Sequence, residues 1–208
     1  RAAAAGAMVG QGSMNFVELH DLWSAAQRAA AKQMLKEVKA RGIKAIRFSF
    51  ADQHGILRGK TVAAGALGAA LDNGVAITST LLLKDTSHRT VYPAFTPGAG
   101  IGMPELEGAA DFLIVADPAT FKVLPWAPET AWVLCDLYFA DGKPVPFDTR
   151  RLLRLALEKL RKAGFEFLAG LEIEDTPAPA PAVEARFHPV PAEPPAAQNE
   201  ALLLEVVS

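Results

Sequence analysis

The sequence predicts an α+β fold, a mixed sheet with two or three helices, then a helix that feeds one more strand. Three observations carry this. Ile46, Phe48 and Phe50 alternate with Arg47 and Ser49 just before Asp52-Gln53-His54-Gly55, the pattern of a half-buried strand entering a hairpin turn. Leu152, Leu153, Leu155, Ala156, Leu157 and Leu160 give one apolar helix face between a capping Asp148 and a terminating Gly164. Short apolar stretches punctuated by Gly and Pro fill the space between, and no repeat of solenoid length is visible.

In chain order, Asp21–Arg41 reads as a helix, with Asp21 as its cap and Gly42 as its stop. Ile43–Phe50 and Ile56–Val62 read as the two strands of the hairpin. Gly65–Asn73 is a short helix closed by Gly74, and Val75–Ser79 a short strand. Thr86–Gly108 is polar and rich in Gly and Pro, a long loop of the kind that is functional or mobile. Phe112–Ala116 and Trp132–Phe139 are strands, the second followed by an Asp141-Gly142 turn. After the leucine helix, Phe165–Glu174 alternates again as a strand.

Half of the 208 residues are apolar and 21% are charged, enough for a core and too ordered a composition for wholesale disorder. A net charge of −2 lacks the basic excess of a nucleic-acid binder. No apolar run approaches the ~18 residues of a membrane span. The single cysteine, Cys135, rules out an internal disulfide framework and a multi-cysteine zinc site, and fits a reducing, cytoplasmic compartment. Residues 1–13, mostly Ala and Gly, read as a leader or remnant. Residues 175–208 read as a Pro/Ala-rich tail, because proline denies helices and sheets their hydrogen bonds.

Glu172 and Glu174 are the strongest chemical candidates. Two apart on an expected strand, they face the same side with Cα atoms roughly 6.5 Å apart. That arrangement suits two carboxylates holding neighbouring hard cations, or two solvated glutamates at a strand end. Arg58-Gly59-Lys60 could hold an anionic group or a neighbouring chain's carboxylate, or be an ordinary exposed strand. The four histidines have no metal-site spacing; His88, in a segment dense in polar groups, reads as part of a solvated loop.

Taken in order, these residues resemble the N-terminal part of the glutamine synthetase family and its γ-glutamyl-amine ligase relatives. Phe50 to Lys60 looks like the first hairpin of that family's β-grasp domain. Leu124-Pro125-Trp126, Cys135-Asp136, Asp141-Gly142-Lys143-Pro144 and Phe147-Asp148-Thr149-Arg150 resemble its run into the catalytic domain. Ala169-Gly170-Leu171-Glu172-Ile173-Glu174 resembles the Gly-x-Glu-x-Glu strand that opens that domain. The resemblance implies a β-grasp-like domain over 14–146 and the start of a catalytic domain over 147–174. It implies that Glu172 and Glu174 are ligands for Mg or Mn. It also implies an ATP-dependent reaction in which glutamate is phosphorylated and ammonia or an amine attacks the γ-glutamyl phosphate, in homo-oligomers whose active sites lie between subunits. Arg58, Lys60 and Thr78 would then belong to the substrate or inter-subunit loops.

Two departures stand out. Thr78 occupies the place where ammonia-using members carry an acid, so a larger amine becomes credible. A misalignment of one or two residues is the other explanation, with Asp85 the nearest acid. Beyond Glu174 the family's remaining catalytic strands do not follow, so this chain alone is expected to be inactive, a truncated or misread version of a longer enzyme. The competing expectation is a non-catalytic β-grasp module that binds or regulates the full-length enzyme.

Overall fold

The computed structural model describes residues 14–173 and 183–187, the last strands over 171–173 and 183–187 by backbone alone. The chain divides between Arg151 and Leu152 into two compact units. Among the described residues no helix is long and apolar enough to cross a membrane.

The first described element of this unit is a short helix, α1 (Phe16–Leu19), capped by Asn15. The next helix, α2 (Ala25–Ala40), starts later than Asp21. Ser24 caps it instead, because Ser24 and Gln27 form a reciprocal capping box. Asp21 lies outside with φ +47° and pairs with Arg28 at 2.6 Å. The expected hairpin is β1 (Ala45–Ala51) and β2 (Leu57–Ala63), antiparallel, with Phe48 opposite Lys60 and Phe50 opposite Arg58. A short helix α3 (Leu67–Asn73) and strand β3 (Val75–Thr78) follow. The long loop holds a 3-10 stretch over Pro104–Ala109, and an isolated antiparallel bridge joins Lys84 to Thr90 at its start. Then come β4 (Asp111–Ala116), β5 (Lys122–Leu124) and β6 (Ala127–Tyr138).

These strands form a mixed sheet in the order β2-β1-β6-β4-β3, with β5 also paired to β6. Only β1 and β6 run parallel. The alternation along β1 buries Ile46, Phe48 and Phe50, while Arg47 stays exposed. Those three join Met34 and Val38 of α2, Leu67 and Leu71 of α3, and Phe112, Ile114 and Val133 in one core. Each such side chain stabilises by roughly 1.5–3 kcal/mol. Phe50 and Phe112 meet edge to face at 5.6 Å, and Trp23 donates its ring N–H to the Ala116 carbonyl at 2.9 Å.

The backbones of β1 and β2 approach unusually closely at Gly59, where a Cβ would overlap the Phe48 carbonyl oxygen. Gly59→Ala is therefore expected to push the hairpin apart and cost about 1–3 kcal/mol. Thermal unfolding checks this, and an unchanged midpoint would contradict the close approach.

The helix α4 (Thr149–Lys162) leaves the first unit and continues into the second. Gly164 ends it as expected: its N–H bonds to the Arg161 carbonyl and that of Phe165 to the Leu160 carbonyl, both at 3.0 Å, the pattern of a Schellman stop. The strand expected from Phe165 is shorter, β7 (Ala169–Ile173). It pairs antiparallel with β8 (Val183–Phe187). This strand falls within the expected Pro/Ala-rich tail: Val183-Glu184-Ala185-Arg186-Phe187 is free of proline and alternates with period two, so its backbone can enter a ladder.

Candidate functional site

Thr78 ends β3, half-buried and opposite Asp111 of β4. Its hydroxyl lies 3.2 Å from that of Thr80 and donates to the Ala109 carbonyl at 3.4 Å. Ser79 between them is buried, with its hydroxyl 3.4 Å from that of Tyr92. The hydrogen-bond partners of the Thr78 hydroxyl are thus a neutral hydroxyl and a carbonyl, while its cross-strand neighbour Asp111 is acidic. No described bond joins Asp85 to Thr78. Asp85 Oδ1 accepts N–H bonds from Ser87 and Arg89 at 2.8 and 2.9 Å, closing its own turn.

Arg58 lies on β2, at the opposite edge of the sheet from β3. Its Nε donates to Asp52 Oδ2 at 2.6 Å, and the Asp52 side chain is fully buried. Asp52 Oδ1 also accepts the N–H groups of His54 and Ile56, at 2.9 and 3.0 Å. Burial pushes the Asp52 carboxyl up, but Arg58 and those N–H groups outweigh it and hold it below the usual carboxylate value. The outer face of the Arg58 guanidinium donates from Nη2 to His88 Nδ1 at 3.1 Å. Lys60, two residues on, is exposed on the same face of the strand. The structure therefore joins Arg58 to Asp52 and His88, and joins Thr78 to Thr80 and Ala109. No described bond joins Arg58 or Lys60 to Thr78.

Glu172 lies on β7 with Glu184 as its partner across the strand pair. Glu174 lies outside the described residues. Among the described residues no three His, Cys, Asp or Glu side chains gather in a way that could hold a metal.

Sequence reasoning missed one buried cluster at the start of α4. Arg150 donates from Nη1 to Asp136 Oδ1 at 2.8 Å and from Nη2 to Asp117 Oδ2 at 2.5 Å. Gln27 of α2 donates to the other oxygen of Asp117 at 3.0 Å. Asp148 caps α4 by accepting the N–H of Arg150 at 3.1 Å, and its second oxygen accepts the N–H of Leu137. Burial works to raise Asp117, yet Arg150 and Gln27 prevail and lower it; burial raises Asp148, only partly offset by the Leu137 N–H. The signal available was Asp117-Pro118, a cap followed by proline at the first position of a 3-10 turn. Cys135, beside this cluster, is fully buried, and its thiol is pushed well up by burial, so it is inert packing as expected.

Searches against protein-family models find no match. Curated relatives do match. The chain is 38% identical to a γ-glutamylanilide synthase of Acinetobacter sp. over 164 residues, 77% of this chain and 33% of that protein. It is 32% identical to a glutamine synthetase of Methanosarcina mazei, over 69% of this chain and 28% of that protein. It is 34% identical to a glutamate–isopropylamine ligase of Pseudomonas sp., over 69% and 31%. A solved GmaS/ADP complex superposes with a TM-score of 0.51 at 26% identity, covering 67% of this chain and 28% of that one. The chain thus spans about a third of the length of the curated relatives it matches. Over that aligned stretch the chain belongs to the family of glutamine synthetase and the γ-glutamyl-amine ligases.

Proposed function

We propose that this chain is part of an ATP-dependent ligase that joins glutamate to an amine through γ-glutamyl phosphate. The observation that carries the reading is the 38% identity to a γ-glutamylanilide synthase, sustained over 164 residues. In this reading, residues 14–146 are a β-grasp-like domain and 147–174 begin the catalytic domain. Arg58, Lys60 and Thr78 serve substrate or inter-subunit loops in a homo-oligomer.

The chemistry has two steps. A carboxylate oxygen of glutamate attacks the γ-phosphorus of ATP, and ADP leaves. The amine then attacks the acyl carbon, and phosphate leaves with that oxygen. Charge accumulates on phosphate oxygens in the first step, and water must be kept from the acyl phosphate before the second. Divalent Mg or Mn, when bound, would offset the charge that develops on the phosphate oxygens. Carboxylate oxygens are the right donors for such hard cations, and Glu172 and Glu174 would provide them. The described residues supply the donor type but not a complete ligand set.

The nitrogen donor is read as an amine rather than ammonia. A carboxylate would attract ammonium and accept its proton, whereas the hydroxyls of Thr78 and Thr80 carry no charge. Several relatives bear names of the same kind, an anilide synthase, an isopropylamine ligase and an ethanolamide synthetase. Amide formation should be compared with ammonium, aniline and isopropylamine under glutamate, ATP and Mg. One of the amines is expected to exceed ammonium in kcat/KM by at least about tenfold. Thr78→Asp is expected to narrow that gap by placing charge where ammonium binds. Ammonium as the best donor in the unaltered protein would overturn the amine assignment. Full-length protein that turns over no nitrogen donor would favour the non-catalytic module.

A further inference from the structure

After β3 and a 3-10 turn over Ser79–Leu81, a tight hairpin over residues 84–90 bonds to the β1–β2 turn. Lys84 bridges Thr90, and the Lys84 ammonium donates to the Thr90 hydroxyl at 2.9 Å. The turn itself is closed by Asp85, whose N–H and carbonyl also bond Arg89 and His88. His88 takes φ +60°, a left-handed conformation that glycine or asparagine fills more easily. Its imidazole is what the position gains in exchange.

Three side-chain bonds hold this hairpin to the β1–β2 turn. Gln53 Nε2 donates to the Lys84 carbonyl at 3.1 Å, and His54 Nε2 lies 2.8 Å from the same oxygen. The third is the Arg58–His88 bond at 3.1 Å. A guanidinium has only donors, so His88 Nδ1 must be the acceptor. The ring is then neutral, with its proton on Nε2. His54 faces a carbonyl, which needs a donor, so His54 keeps its bond whether its ring is neutral or charged.

We propose that His88 makes the Arg58 tie of the 84–90 hairpin depend on pH, made when the ring is neutral and lost when it is protonated, while the two bonds to the Lys84 carbonyl remain. Protonation places an N–H on Nδ1, removes the only acceptor Arg58 has on the hairpin, and sets two cations against each other. The surrounding charges are positive on balance. Arg58, Lys60, Lys84 and Arg89 are positive and His54 can become so. Against these stand two carboxylates, Asp52, buried and paired with Arg58, and Asp85, whose Oδ1 accepts the Ser87 and Arg89 N–H groups. The inference does not depend on the ligase reading, because it concerns one contact within this chain.

The test is an NMR titration of the full chain from about pH 8 to about pH 5, the range in which histidine changes charge. Ring nitrogen shifts should show His88 with a bare Nδ1 at the upper end. The Arg58 Nη2 protons should exchange about tenfold faster once His88 is charged, after correction for the pH dependence of exchange itself. Backbone amides of both the 84–90 hairpin and the β1–β2 turn should shift with the His88 midpoint. His88→Asn, which tolerates the left-handed backbone and offers an acceptor that cannot titrate, should abolish these changes. His88→Gly should leave Arg58 in the fast-exchanging state throughout. A neutral His88 with its proton on Nδ1 would overturn the proposal. So would turn amides indifferent to His88, or the same titration persisting in His88→Asn.

Discussion

Replacing Arg150 with Met is expected to destabilise the protein by about 3–5 kcal/mol near neutral pH. The guanidinium is the shared partner of Asp117 and Asp136, both buried. Removing it leaves two carboxylates close together without that cation, in surroundings where isolated charge is costly. The effect should depend on pH in a definite direction. Asp117 has a lowered pKa in the folded protein, so the stability it contributes is present above its unfolded value and lost as pH falls through its folded value. Asp148, raised by burial, works with the opposite sign: its burden eases as pH falls through its folded value. The variant has lost the Asp117 contribution already. The gap between the two proteins should therefore narrow below about pH 4, where carboxyls in ordinary surroundings become neutral. Urea unfolding across pH checks both claims. A loss under about 1 kcal/mol, or a gap that widens in acid, would contradict the assignment.

On the proposed ligase reading, Glu172→Gln and Glu174→Gln in a full-length version are each expected to lower ATP turnover by about a hundredfold or more. A cation that neutralises a transferring phosphoryl group supplies several kcal/mol of barrier lowering. Glutamine keeps the shape and one oxygen but loses the charge that a hard cation needs. Each variant should also require more Mg or Mn for half-maximal rate. Unchanged metal dependence in both would remove the two glutamates from the site.

Much of the scaffold was legible because local signals agreed with one another. Ile46, Phe48 and Phe50 fix which face of β1 is buried, and Asp52 to Gly55 fix where it turns. Gly164 and Asp148 bound α4 for reasons that act within a few residues. The start of α2 was misplaced because Asp21 and Ser24 are both good caps, and only Ser24 has Gln27 three residues on to complete the box. The three-residue β5 is too short to show a period, and the early part of β6 is obscured by Pro128.

The side-chain clusters were less legible. Arg58 stood out as a basic residue, but its partner His88 is 30 positions away. Arg150 meets Asp117 across 33 positions and Asp136 across 14. Such pairings follow from sheet order, here a parallel β1–β6 contact and β4 folded back on β6, which periodicity does not encode. The short-range motifs carried the family resemblance, and the relatives bear it out.

The most direct test of the proposed ligase is to follow oxygen-18 from the γ-carboxylate of glutamate. If the amide forms through γ-glutamyl phosphate, the oxygen that attacked ATP must leave with phosphate when the amine displaces it. Labelled phosphate appearing in step with amide, only when ATP, a divalent cation and the amine are all present, is the expected result. Amide formed with unlabelled phosphate would contradict the acyl-phosphate route.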